Sequence, residues 1–176
     1  MGPTMRMLVA DVTVDFAADR DDVYRYLTDP RHRPLWQASL RRVDGVMDLG
    51  TPGGVGSSWT DVTAVPFVSS AMEVVESTAG RRWREIGRWG PVDAALSLEF
   101  ADHSAQSTCV QSTRAQSTKV RARAHLTVPV LAAPALYLVR SLAPAAVRGD
   151  LHKAASILDA RALGARSSNI HHQEAS

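Results

Sequence analysis

The apolar period of this chain switches from that of a strand to that of a helix after Val128, and that change limits the folds open to it. Just before that point apolar residues recur at every second position. Val120, Ala122, Ala124, Leu126 and Val128 form one face of a strand, with Arg121, Arg123 and His125 on the other. From about Leu131 the period is that of a helix. Leu138 and Leu142, then Val147, Leu151, Ala154 and Leu158, trace an apolar stripe, and Arg140, Arg148, His152 and Asp159 supply a polar face. The expectation is a curved antiparallel sheet crossed by one long helix over Leu131 to Leu163. Pro134 and Pro144 bend or segment its first turns, and Gly164 ends it. Ser167 to Ser176 is short, polar and aperiodic, and is expected to be a disordered tail.

The earlier part of the chain reads as strands with one helical interruption. Leu8, Ala10, Val12, Val14 and Phe16 alternate with more polar residues as a half-buried strand. Asp19 can cap a short helix with Asp21 and Asp22 near its positive end, and Val23 and Leu27 give it an inner edge. Asp29-Pro30 ends it, since proline disfavours helical geometry in the residue before it. Arg31 to Ala38 reads as a second short helix carrying Trp36. Strands are expected at Arg41 to Val46, Ser57 to Val65, Phe67 to Glu76, Arg82 to Trp89 and Val92 to Ala101. Loops at Gly50 to Gly56, Gly80 and Gly90-Pro91 separate them. The repeated Gln-Ser-Thr at 106–108, 111–113 and 116–118 is too short a unit for a solenoid and reads as an expanded hairpin loop.

Composition removes several function classes. The 176 residues suffice for one domain, here residues 8–165 followed by the tail at 166–176. A formal charge of +2, with the basic residues scattered among 18 acids, leaves no footprint for nucleic acid. Cys109 stands alone, so no intrachain disulfide forms, and no Cys/His cluster has metal-ligand spacing; the expectation is no metal and a reducing, cytoplasmic setting. The N-terminus lacks a signal-peptide layout, and the uncharged run Leu126 to Val139 is too short to span a bilayer.

The element order carries a local signature. Phe16-Ala17-Ala18-Asp19 is followed by Val23-Tyr24-Arg25-Tyr26-Leu27, then Asp29-Pro30, then Leu35-Trp36. In this the chain resembles the START-like superfamily, also called SRPBCC, over about Leu8 to Leu163. That superfamily includes plant pathogenesis-related allergens, bacterial polyketide cyclases and dehydrases, and lipid-transfer domains. The resemblance implies a helix-grip fold: six to seven curved antiparallel strands around a long C-terminal helix, with two short helices after the first strand. It also implies a cavity between sheet and helix for an apolar ligand, no cofactor, and a monomer or homodimer.

Candidate site residues follow from strand parity and chemistry. Trp36 is expected behind the second short helix, as core or as pocket wall. Trp59, Trp83 and Trp89 lie on strands, either stacking on a flat ligand or filling the interface. Leu98, Leu138 and Leu142 are the expected aliphatic lining. If Trp83 faces inward, Glu85 shares its face and leaves Arg82, Arg84 and Arg88 in water; a one-residue shift would reverse this. A buried carboxylate has its pKa raised by desolvation and lowered by a nearby arginine. Glu85 and Tyr26 are therefore the candidate acid-base groups. His32, in the loop between the short helices, reads as a solvated residue. Two functions fit: a carrier or sequestering protein for a lipid, polyketide or similar hydrophobic molecule, or a cofactor-independent polyketide cyclase/aromatase. A protein-interaction module fits the same fold.

Overall fold

A computed structural model of the chain describes residues 2–102 and 117–173, with side chains up to residue 162. The first strand, β1 (Thr4–Phe16), leads into helix α1 (Arg20–Thr28). The Asp19 carboxylate caps that helix by accepting the backbone N–H of Asp21 at 2.8 Å. Pro30 opens a 3-10 turn (Pro30–His32) that continues as the single-turn helix α2 (Arg33–Trp36). Six strands follow: β2 (Leu40–Met47), β3 (Ser58–Thr63), β4 (Ser69–Thr78), β5 (Arg82–Trp89), β6 (Val92–Asp102) and β7 (Thr118–Pro129). A 3-10 turn (Val130–Ala132) then enters helix α3 (Ala133–Gln173). All seven strands form one antiparallel sheet in the order β1-β7-β6-β5-β4-β3-β2, curved as the helix-grip fold requires. Bulges at Val9 and Val75 shift the register of β1 and β4, and such irregularities bend a sheet.

The larger core cluster lies between the concave face and the middle of α3. Val12, Val14, Phe16, Trp59, Val74, Trp83, Leu98, Phe100 and Val120 meet Val23 and Leu27 of α1, Trp36 of α2, and Leu151 and Ala154 of α3. A separate, smaller cluster groups Val9, Val128 and Leu136.

Two expectations for α3 need correction. Leu138 and Leu142 point outward, 65% and 62% exposed, while Leu136 is the buried leucine of that segment. Leu151 and Val147 set the phase of the inner face. Stepping back 3.6 residues at a time from them reaches Ala143 and Leu136, so Leu138 and Leu142 fall half a turn away. Nor does Gly164 end the helix, which runs on to Gln173. A glycine in a helix costs only about 1 kcal/mol, and the alanines and arginines around it are strong helix formers. The expected tail is therefore helical over 167–173. Its last three residues, and the Gln-Ser-Thr repeats up to residue 116, lie outside the described residues. The helical stretch Val130–Ala162 is long and apolar enough to cross a bilayer by length and composition alone. The shorter run read from the sequence did not have that property.

Gly53 joins the β2–β3 loop to the body. Its φ is +68°, and a Cβ there would sit 2.2 Å from the carbonyl oxygen of Thr28 at the end of α1. Its own carbonyl accepts the Trp83 indole N–H at 2.8 Å. Gly53→Ala therefore combines a left-handed backbone with a clash against main chain, and should destabilise the domain by about 2 kcal/mol or more. The urea midpoint of the variant measures this; an unchanged midpoint would show that the loop yields freely.

Candidate functional site

The most unusual feature of the interior is a cation held between two acids. Arg33, the first residue of α2, is 2% exposed. Its Nη1 donates to Oε2 of Glu85 on β5 at 2.5 Å, and its Nη2 donates to Oδ2 of Asp61 on β3 at 3.0 Å. The other carboxylate oxygen of Asp61 accepts the Trp59 indole N–H at 2.8 Å. The guanidinium also lies over the Trp59 ring, 5.4 Å from its centroid, and Trp59 stacks with Trp83 at 6.5 Å. One arginine thus ties α2 to two strands that are not neighbours in the sheet.

The charges do not balance. With every group ionised the cluster carries one positive and two negative charges, buried together. Burial raises the Glu85 pKa, Arg33 opposing it and Asp61 adding to it. Burial raises that of Asp61 likewise, against the pull of Arg33 and the Trp59 hydrogen bond. Burial works against the charge on Arg33 too, but the two carboxylates outweigh it and hold its pKa above the ordinary value. The guanidinium stays charged, and the two acids compete for the proton that would leave one carboxylate against one cation.

Glu85 also marks where the sealing of the concave face stops. On β6, Leu98 and Phe100 are fully buried, and on β7 so are Val120 and Ala122. Further along the same inner face, Ala94, Leu96, Ala124 and Leu126 are only half-buried, no better covered than their outward-facing neighbours Ala95, Ser97 and His125. Leu96 pairs across the sheet with Glu85 on one side and Ala124 on the other. Next to it Ala94 pairs with Gly87, where a Cβ would meet the Met72 sulfur at 2.7 Å. On α3 the helical phase puts Arg140 on the side of Leu136, Ala143 and Val147, yet it is exposed. A strip of partly covered apolar side chains therefore lies on the concave face between the two core clusters and ends near Glu85.

An open cleft of about 1120 Å³ lies elsewhere, beside α1, lined by Tyr24, Tyr26, His32, Pro52, Leu158 and Arg161 among others. Tyr26 is its centrepiece. His32 stacks on its ring at 4.7 Å, and the Arg161 guanidinium sits 4.9 Å from the ring centroid. Its hydroxyl is buried without a hydrogen-bond partner among the described residues, and burial raises its pKa against the opposing charge of Arg161. Asp21, Asp22, Arg25 and Asp29 also border this cleft.

The comparisons with known proteins agree with this architecture. A family model described as polyketide cyclase / dehydrase and lipid transport matches residues 7–162. The chain belongs to that family. Among solved structures, norcoclaurine synthase from Thalictrum flavum is similar with a TM-score of 0.59 at 14% identity, over 88% of this chain and 87% of that one. The di-domain ARO/CYC StfQ from the steffimycin biosynthetic pathway gives a TM-score of 0.64 at 18% identity, over 90% of this chain and 52% of that one. At these identities the likeness is one of fold. No curated protein matches the chain in sequence.

For this member of the polyketide cyclase/dehydrase and lipid transport family, the sequence-derived candidates divide into groups. Glu85 lies on the inner face with Trp83; Arg82 and Arg88 are exposed, and Arg84 is half-buried. Trp36, Trp59, Trp83 and Leu98 are buried in the core, 4% exposed or less, with Trp59 and Trp83 serving as hydrogen-bond donors. Trp89 stands at the sheet end, 45% exposed, and Leu138 and Leu142 point outward. Tyr26 borders the cleft, which Glu85 does not line, so the two candidate acid-base groups do not share a pocket. His32 is half-buried against Tyr26 rather than solvated. Sequence reasoning missed Arg33 and Asp61. The parity of Asp61 with Trp59 on β3 was a usable signal, whereas nothing local marks Arg33 as buried.

Two predictions follow from the charge count. Arg33→Leu strands two carboxylates and should cost about 3–5 kcal/mol at neutral pH, whereas Glu85→Gln leaves one arginine against one aspartate and should cost well under half of that. Equal losses in chemical denaturation would contradict the network. Both acids titrate higher folded than unfolded, so the folded chain binds more protons above the ordinary carboxylate pKa of about 4. Their contribution to stability accordingly falls as pH rises from there through the raised values. Denaturation midpoints against pH should show that decline, and Glu85→Gln should flatten it.

Proposed function

We propose that this domain binds a hydrophobic small molecule, a lipid or a polyketide, and carries or sequesters it in the groove between the concave sheet and the N-terminal half of α3. The observation that carries the reading is the loss of burial alternation from Ala94 to Leu96 and from Ala124 to Leu126, where apolar inner-face side chains stay half-covered. Apolar walls with a few fixed polar groups at one end are the usual composition of a small-molecule site. Glu85 supplies the polar end. Its tie to Arg33 leaves it engaged, which suits a group that orients a ligand better than one that shuttles protons.

One observation favours a second reading, a cofactor-independent cyclase of the polyketide type. Glu85 is a carboxyl whose pKa burial raises, beside partly covered apolar side chains, and a carboxyl shifted in that direction is suited to general acid-base work. The groove would then hold a flexible polyketone in a reactive fold.

The two readings separate experimentally. Native mass spectrometry of the purified protein should find a bound apolar molecule, and an environment-sensitive dye should bind saturably. Ala94→Phe, which fills the groove, should weaken the dye by about tenfold or more, while Ala162→Arg at the cleft should not. The reverse pattern would move the ligand to the cleft, and no saturable binding by the wild type would end both readings. Glu85→Gln should leave affinity roughly intact. If a polyketone is turned over and this variant loses about 10²–10⁴ in rate, the domain is a cyclase.

A further inference from the structure

The outward face of α3 is as ordered in its pattern as the inward one. Leu131, in the turn entering the helix, is followed by Ala135, Leu138, Leu142, Ala145 and Gly149, at alternating spacings of four and three. All six are exposed, Leu131 at 97%. That spacing lays them in one straight stripe about 27 Å long, opposite the face that Leu136, Ala143 and Val147 turn to the sheet. Such a seam on an isolated molecule leaves three leucines in water, and it contains a glycine that weakens the helix with nothing within 4 Å of the position a Cβ would take.

We propose that a second copy of this chain covers the stripe, its α3 running antiparallel about a two-fold axis at the level of residue 140. The order of sizes along the seam is what selects this partner. Positions equidistant from 140 are complementary: Leu138 meets Leu142 of the second copy, Ala135 meets Ala145, and Leu131 enters the notch left by Gly149. An isologous contact demands such self-complementarity, because the same surface serves both sides. Charge agrees. Between Val130 and Gly149 the only charged side chains are Arg140 and Arg148. Arg140 is turned from the seam, and the two copies of Arg148 lie at opposite ends, about 24 Å apart along the axis. The antiparallel arrangement also sets the helix dipoles head to tail.

A lipid surface would suit the seam less well. Helices that lie in a bilayer interface present a strongly charged face opposite the apolar one, and here that face carries Leu136, Ala143 and Val147 with Arg140 as its one charge. Alanine and glycine add little apolar area for lipid, but they let two helix backbones come close.

Mass measurement by light scattering on the full chain should give a dimer at about 100 µM, and Leu138→Glu/Leu142→Glu should give a monomer with unchanged circular dichroism. The substituted side chains are exposed, so folding is not at stake. The register is tested in a Cys109→Ser background. Ala135→Cys and Ala145→Cys proteins should cross-link on oxidation when mixed, and neither should do so alone. A monomeric wild type, self-cross-linking of each cysteine variant alone, or pelleting with anionic phosphatidylserine vesicles that the double glutamate variant abolishes would each overturn the proposal.

Discussion

A guanidinium taken out of water has to be repaid by partners at fixed positions, and Arg33 finds them on β3 and β5. Desolvating three ionised groups costs several kcal/mol each, so the cluster adds little stability beyond what an apolar plug of the same volume would. What it adds is placement. α2 is a single turn with too few residues to anchor itself by apolar contact, and its first residue locks it over the concave face. Trp36 at its other end then fills the space behind, and the Ala38 N–H donates to Asp150 on α3 at 3.0 Å. The short helices, the sheet and the long helix are referenced to one another through these contacts.

The same cluster divides the interior. On one side Trp59, Trp83, Leu98 and the middle of α3 close up around α1. On the other, Val9, Val128 and Leu136 form a patch too small to fill the curve of the sheet. A sheet that bends cannot touch one helix along its whole length. Near α1 and α2 the core is dense, and beyond them the inner face is only partly covered. Glu85 sits at that boundary with its charge disfavoured by burial and supported by Arg33.

Much of this was legible residue by residue. The alternation from Arg82 to Trp89 marked β5 with its observed ends, and Asp19 and Asp29-Pro30 marked the limits of α1. The parity that puts Glu85 beside Trp83 followed from the two-residue period of a strand. The phase of α3 was harder to read, because that helix is apolar on both sides. Leu136 and Leu138 are equally hydrophobic, and only contact with Val9 and Val128 selects the first for the interior. Tyr26 was legible as a polar aromatic near α1. Its sandwich between His32 and Arg161, separated in sequence by well over a hundred residues, was not.

The sequence by itself determined the order of strands and helices and the inner parity of β5, because periodicity and capping act over a few neighbouring residues. Only the tertiary structure decided that Arg33 is buried between Asp61 and Glu85, that Trp59 and Trp83 are structural donors in the core, and that Leu138 and Leu142 face out. Each of those depends on which distant element lies across the gap. Burial and charge pairing are properties of the assembled interior, and no local pattern in the chain encodes them.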